Sequence, residues 1–187
     1  LATAHCLKTI LKYASNNIIF ETASGDLTVC VKDDFYFLDF PSRMPAPAAL
    51  PELIEKSLNI PPKEVYKSRD YVLVYDAEQD IKNIKINRQI FDQINLGTGG
   101  VIVTSKGTSC DFVSRFFTPQ ASILEDPVTG SAHCSLIPFW AKKLDKKELS
   151  AMQLSKRKGI LNCTDKNDRV IISGQAKTYS IGKLWIE

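Results

Sequence analysis

Two histidines, His5 and His133, and five cysteines without a single Cys-x-x-Cys pair leave no Cys/His cluster at metal-ligand spacing in these 187 residues. A structural or catalytic metal is therefore not expected. The odd cysteine count argues against a disulfide framework and for a reducing compartment. No secretory signal leads the chain, and no apolar run approaches the ~20 residues that a membrane helix needs, so a cytoplasmic protein is expected. There is little charge of either sign in excess. Against a net charge of +3, neither nucleic acid nor a membrane is an expected partner. The one basic run, Lys156-Arg157-Lys158, is short and reads as a solvated turn. Gly97-Thr98-Gly99-Gly100 has no Gly-Lys-Ser/Thr after it, and no G-x-G-x-x-G is present, so it reads as a tight helix-to-strand turn and not a phosphate loop.

What is present is an ordinary globular composition, 44% hydrophobic and 24% charged, in a chain long enough for one large or two small domains with a real core. Residues 1–14 read as a helix through Leu7, Ile10, Leu11 and Ala14. Strands are expected at 18–22, 27–31 and 35–40 in an antiparallel meander, with a turn at 23–26. Residues 41–51, rich in proline and alanine, read as a linker. A short helix at 51–58 and a strand hairpin at 64–68 and 71–75 follow. The segment 81–86 is ambiguous, and a short helix covers 88–96. Strands are expected at 101–105, 111–118, 152–156, 159–164 and 169–173, with one or two more in 178–186.

Between them lies the densest stretch, Glu125-Asp126-Pro127-Val128-Thr129-Gly130-Ser131-Ala132-His133-Cys134. Pro127 restrains the acid before it, Gly130 lets a ligand approach the backbone closely, and Ser131 is a good N-cap for an apolar helix through Leu144. An acid thus stands beside the N-terminus of a buried helix, where free N–H groups and the helix dipole favour anions. Asp-Pro and Thr-Gly-Ser also make ordinary turns, so taken alone the stretch reads as structure before it reads as a site.

A repeat weighs on that choice. Thr3-Ala4-His5-Cys6-Leu7 and Ser131-Ala132-His133-Cys134-Ser135 each head an apolar helix, and each is followed by three strands. Two related halves are expected, with residues 1–43 as the remaining part of the first and 44–187 as the second, the last strand being free to return to the first half. Two halves that face their helix N-termini towards one cleft can hold a carboxylate and flank a carbon with one acid–base group from each side.

The motif at 125–133, with Pro138-Phe139-Trp140 after it, resembles the signature of the phenazine-biosynthesis PhzF-like family. Supporting context runs through 100–104, 111–117, Gln153-Leu154-Ser155 and 169–174. The resemblance implies an α+β, diaminopimelate epimerase-like fold, with two pseudo-symmetric antiparallel barrel-like sheets each around a central helix. It implies a cofactor-independent isomerase or epimerase-type enzyme that moves a proton on a small carboxylated metabolite, in many members as a homodimer. Carried over by residue, Asp126 is the catalytic acid–base group. Gly130 and Ser131 bind the substrate carboxylate with Thr129 beside them, and His133 completes the set, packing or orienting more than acting. Cys6 and Cys134, set against the epimerase's paired cysteine bases, are expected to be buried small apolar residues. The family's catalytic glutamate and its Gly-His-Ala-Thr stretch would lie upstream of Leu1. A chain opening inside a helix is expected to lack half of the catalytic pair and to leave the apolar face of its first helix exposed or covered by a partner chain. The alternative is a non-catalytic binding protein that retains the fold. Lys158 stands where the family often has glycine, so a local difference is expected at 156–159.

Overall fold

The computed structural model describes residues 1–23 and 25–185. Its elements run α1 (Ala2–Thr9), β1 (Asn17–Thr22), β2 (Gly25–Lys32), β3 (Phe35–Pro41), β4 (Ala46–Pro47), α2 (Glu52–Ser57), β5 (Glu64–Lys67), β6 (Tyr71–Val74), α3 (Glu78–Asn83), α4 (Arg88–Phe91), β7 (Val101–Lys106), β8 (Phe112–Phe117), β9 (Glu125–Asp126), α5 (Gly130–Leu144), β10 (Glu148–Gln153), β11 (Gly159–Asp165) and β12 (Arg169–Gly174).

The strands form one continuous path in the order β1-β2-β3-β12-β11-β10-β8-β7-β6-β5-β4, with β9 on the edge of β8. Pairings are antiparallel except β6 with β7 and β8 with β10, which are parallel. The expectation of purely antiparallel sheets is corrected at those two places. There the chain leaves one strand, makes a helical excursion and returns in the same direction, as parallel pairing requires. The late strand β12 pairs with the early strand β3, from Arg169 opposite Pro41 to Gly174 opposite Tyr36.

The period of two along each strand decides what each face packs against. Val72 and Val74 of β6, Ile102 of β7, and Phe112 and Phe116 of β8 join Leu136, Ile137 and Trp140 of α5 in the largest cluster of buried side chains. Their alternates Leu73, Val101, Val103, Val113 and Phe117 pack with Ile54, Ile81 and Phe91 from α2, α3 and α4 on the other face. A third, smaller cluster sets Ala4 of α1 against Ile18, Val29, Val31 and Tyr36. The two halves of the sequence repeat thus share an order: a helix with a buried alanine (Ala4, Ala132), then three successive antiparallel strands.

Residues 132–141 of α5 are all buried, each large side chain contributing about 1.5–3 kcal/mol. Pro138 lies inside this helix. It has no N–H, so the carbonyl of Cys134 four residues earlier loses its usual partner. The N–H of Arg43 takes that place at 2.8 Å, and the proline-rich segment after β3 is thereby tied to the central helix.

Several boundaries differ from the sequence reading. The first helix ends at Thr9 and not at residue 14. Lys12 adopts φ 55° and Lys8 Nζ donates to the carbonyls of Tyr13, Ala14 and Ser15, turning the chain back, so that Leu11 is 70% exposed. Within the expected linker, β4 pairs with β5. The strand expected at 152–156 begins at Glu148, because its partner β11 extends to Asp165. Residues 178–185 are not strand, and Tyr179, Leu184 and Trp185 are exposed. Ile186, the last residue of that expectation, and Ser24 of the first turn lie outside the described residues. Lys158 adopts φ 59°, the left-handed region that favours glycine. No helix among the described residues is long and apolar enough to cross a membrane.

Candidate active site at the N-terminus of the central helix

Residues 125–131 leave the sheet at a fork. The C-terminal half of β8 pairs with β9, Phe116 opposite Asp126, while its N-terminal half pairs with β10, Ser114 opposite Gln153. Gln153 ends β10 inside this fork with no exposed surface. Its Nε2 donates to the carbonyl of Asp126 at 2.7 Å and to Thr129 Oγ1 at 3.1 Å, and its Oε1 accepts the N–H of Thr129 at 2.7 Å. One buried amide side chain thus takes the place of a strand partner for the turn. Ser155 Oγ donates to the Pro127 carbonyl at 2.8 Å. Gly159 packs so closely that a Cβ there would come within 2.4 Å of Val128 Cγ2.

The two acids of the motif are separated by this arrangement. Glu125 is held by Arg115, which donates through Nε at 2.7 Å and Nη2 at 2.9 Å while its Nη1 serves the carbonyls of Ile81 and Ile84. Glu125 is a fixed ion-pair partner. Asp126 is half-buried and accepts a hydrogen bond from Thr129 Oγ1 to Oδ2 at 2.6 Å, while among the described residues no side chain bonds its Oδ1.

Thr129, and not Ser131, is the N-cap residue of α5, with extended φ −108° and ψ 97°. Its hydroxyl is committed to Asp126, so it makes no capping bond, and the first-turn N–H groups of the helix stay without intrahelical acceptors. Ser131 lies inside the first turn, where its Oγ accepts from Arg69 Nη2 at 3.0 Å. A Cβ placed on Gly130 would meet nothing within 4 Å. The protein itself therefore sets no steric demand for glycine there, and the space above the helix end is open.

His133 is completely buried. Its Nδ1 bonds the Thr129 carbonyl at 2.8 Å, and its ring lies 5.9 Å from that of Phe112. Burial pushes its pKa down to about 4, against an opposing pull from the Thr129 carbonyl. The ring is thus neutral near pH 7, with Nδ1–H as the donor. With no surface to offer a ligand, it acts on the site by holding Thr129. Of the two cysteines compared with catalytic bases, Cys134 is buried, and its thiol is pushed up by desolvation. Cys6 is exposed, contrary to expectation, because α1 has a sheet on one side only.

The structure brings together Asp126, Thr129, Gly130 and Ser131, with His133 beneath them. Sequence reasoning missed the roles of Gln153, Arg115 and Arg69. Gln153 stood within the Gln153-Leu154-Ser155 context of the resemblance, but nothing in its neighbours signals a partner 24 residues away. Among the described residues no group of three His, Cys, Asp or Glu side chains is placed to hold a metal ion.

A carboxylate and an uncapped helix N-terminus in a sheet-dominated α+β fold define a class of site suited to anionic ligands and proton transfer. The profile described as "Phenazine biosynthesis-like protein" (PhzC-PhzF) matches residues 1–182. An uncharacterized isomerase of Pseudomonas aeruginosa is 43% identical over 185 residues, covering 98% of this chain and 70% of that protein. The crystal structure of a phenazine biosynthesis protein of the PhzF family from Enterococcus faecalis superposes with a TM-score of 0.92 at 41% identity, over all of this chain and 71% of that one. A probable proline racemase from Agrobacterium radiobacter, at 11% identity, TM-score 0.55 and 66% of its own length, shares the fold alone. The chain belongs to the PhzF-like, phenazine biosynthesis-like family and has the diaminopimelate epimerase-like fold.

Proposed function

We propose that this protein is a cofactor-independent isomerase of epimerase type, which moves a proton on a small carboxylated metabolite by general acid–base catalysis. The observation that carries the reading is the rigid coupling of Asp126 to an uncapped helix N-terminus through Thr129 and Gln153. A carboxylate of the substrate would sit on the N–H groups at Gly130 and Ser131, favoured by the helix dipole. That seat brings the carbon next to the carboxylate towards Asp126, the group that takes or delivers its proton. Thr129 orients Asp126, and His133 orients Thr129. The opposing acid–base group is the glutamate that the family resemblance places before Leu1. The isomerase name of the P. aeruginosa relative supports the reaction class. A homodimer is the proposed assembly.

The test is proton exchange. Full-length protein is incubated in deuterated water with a panel of amino acids and 2-hydroxy acids, and loss of the C–H signal beside the carboxylate is followed by NMR. Wild type exchanges at least one member, and Asp126→Asn slows that exchange by about 100-fold or more, the usual worth of a positioned acid–base group. Unchanged exchange in Asp126→Asn refutes the role of Asp126. Binding of carboxylates without any exchange favours the non-catalytic binding protein.

A further inference from the structure

Arg69 lies in the turn of the β5–β6 hairpin, distant in sequence from the motif. Its Nε and Nη2 grip both carboxylate oxygens of Asp70 at 2.8–3.2 Å. The Asp70 side chain is wholly buried, and its Oδ1 also accepts the N–H of Gly100 at 2.8 Å. The guanidinium is therefore fixed relative to the sheet. Two bonds then dock this hairpin turn onto one face of α5, Ser68 Oγ with Ser135 Oγ at 2.8 Å and Arg69 Nη2 with Ser131 Oγ at 3.0 Å.

The chemistry of the second bond has one direction. A guanidinium has no acceptor, so the Ser131 oxygen accepts and its own O–H must point away from Arg69. Among the described residues that proton is given no acceptor. It stands in the first turn of α5, next to N–H groups that also lack one. The geometry points to Arg69, locked by Asp70, as a positioning residue that makes the Ser131 hydroxyl a hydrogen-bond donor to the substrate carboxylate. This rests on the carboxylate-binding reading above. Because Asp70 neutralises the pair, Arg69 works by orientation and not by net charge. Arg69→Lys, which keeps the charge and loses the fork, does not replace it.

The experiment titrates the protein with sodium acetate and reads the amide NMR shifts of Gly130 and Ser131, with acetamide as the uncharged control. Removing Arg69 alone strands a buried carboxylate and endangers folding, so the variant used is Arg69→Gln with Asp70→Asn, whose fold is checked by thermal melting. It is expected to weaken acetate about three- to tenfold, the worth of one oriented hydrogen bond. Ser131→Ala weakens it by the same factor, Ser131→Thr restores it, and the triple variant loses nothing further. Wild-type affinity in the Arg69/Asp70 variant, or losses that multiply in the triple variant, overturns the inference and leaves the carboxylate site standing. If acetate moves neither amide in the wild type, the carboxylate site itself falls and the inference with it.

Discussion

Replacing Gln153 by leucine keeps nearly the same volume and deletes the three hydrogen bonds by which this side chain holds the turn at 126–129. Three bonds go, to the Asp126 carbonyl, to Thr129 Oγ1 and from the Thr129 N–H. Thr129 Oγ1 keeps Asp126 as its partner, and the Asp126 carbonyl keeps the Phe116 N–H across the β8–β9 pair, so one backbone group, the Thr129 N–H, is orphaned. Thr129 is 6% exposed, and its N–H bears the full cost of an unsatisfied buried donor, about 1–3 kcal/mol. The expected destabilisation is therefore about 1–3 kcal/mol. For a domain of this size each kcal/mol lowers Tm by about 2–4 °C, so a fall of about 3–10 °C is expected by circular dichroism. Hydrogen exchange should show the Thr129 amide losing protection while the amides of β7, in the middle of the sheet, keep theirs relative to global stability. A Tm within about 2 °C of wild type, with the Thr129 amide still protected, would refute the claim that Gln153 holds the turn.

Three further outcomes follow from named groups. His133 has its folded pKa lowered to about 4 from 6.5 by burial. The unfolded state therefore binds the extra proton first, and the neutral ring's contribution of about 3 kcal/mol is complete above pH 6.5 and lost as pH falls towards 4. Urea unfolding at pH 7 and pH 5 should show wild type losing about 2 kcal/mol more than His133→Gln, and equal losses would refute the assignment. Thiol labelling of the native protein should find Cys6 and Cys30 fast, because they are exposed. Cys134 and Cys163 should react only on unfolding, the Cys163 thiol being pushed up to about 12 by burial; rapid labelling of Cys163 would contradict its placement. Gly130→Ala should change stability by less than about 1 kcal/mol, since its Cβ meets nothing, yet weaken acetate binding by filling the seat. Undiminished binding in that variant would place the carboxylate elsewhere.

Much of this protein was legible in the residues themselves, and for a local reason. Alternation of Leu27, Val29 and Val31 marks a strand with one face turned to the core. The apolar run after Ser131 marks a helix too hydrophobic to be anything but central. The Ala-His-Cys repeat announced the paired helix-and-three-strand order, and the motif at 125–133 carried the family. Each signal lies within about one helix or hairpin of chain, where backbone geometry sets the period. Tertiary structure alone showed what holds each of the two acids. Glu125 is taken by Arg115, whose strand lies alongside, and the adjacent Asp126 is not. It moved the N-cap from Ser131 to Thr129, where the Gln153 amide from β10 holds the Thr129 N–H and Arg69 from the β5–β6 turn takes the Ser131 hydroxyl. It ended α1 five residues early, through a lysine that bonds carbonyls beyond the helix. Partners 24 and 62 residues apart meet only when particular strand edges are joined. That joining is set by how whole faces of apolar side chains bury one another, which no short window of sequence contains.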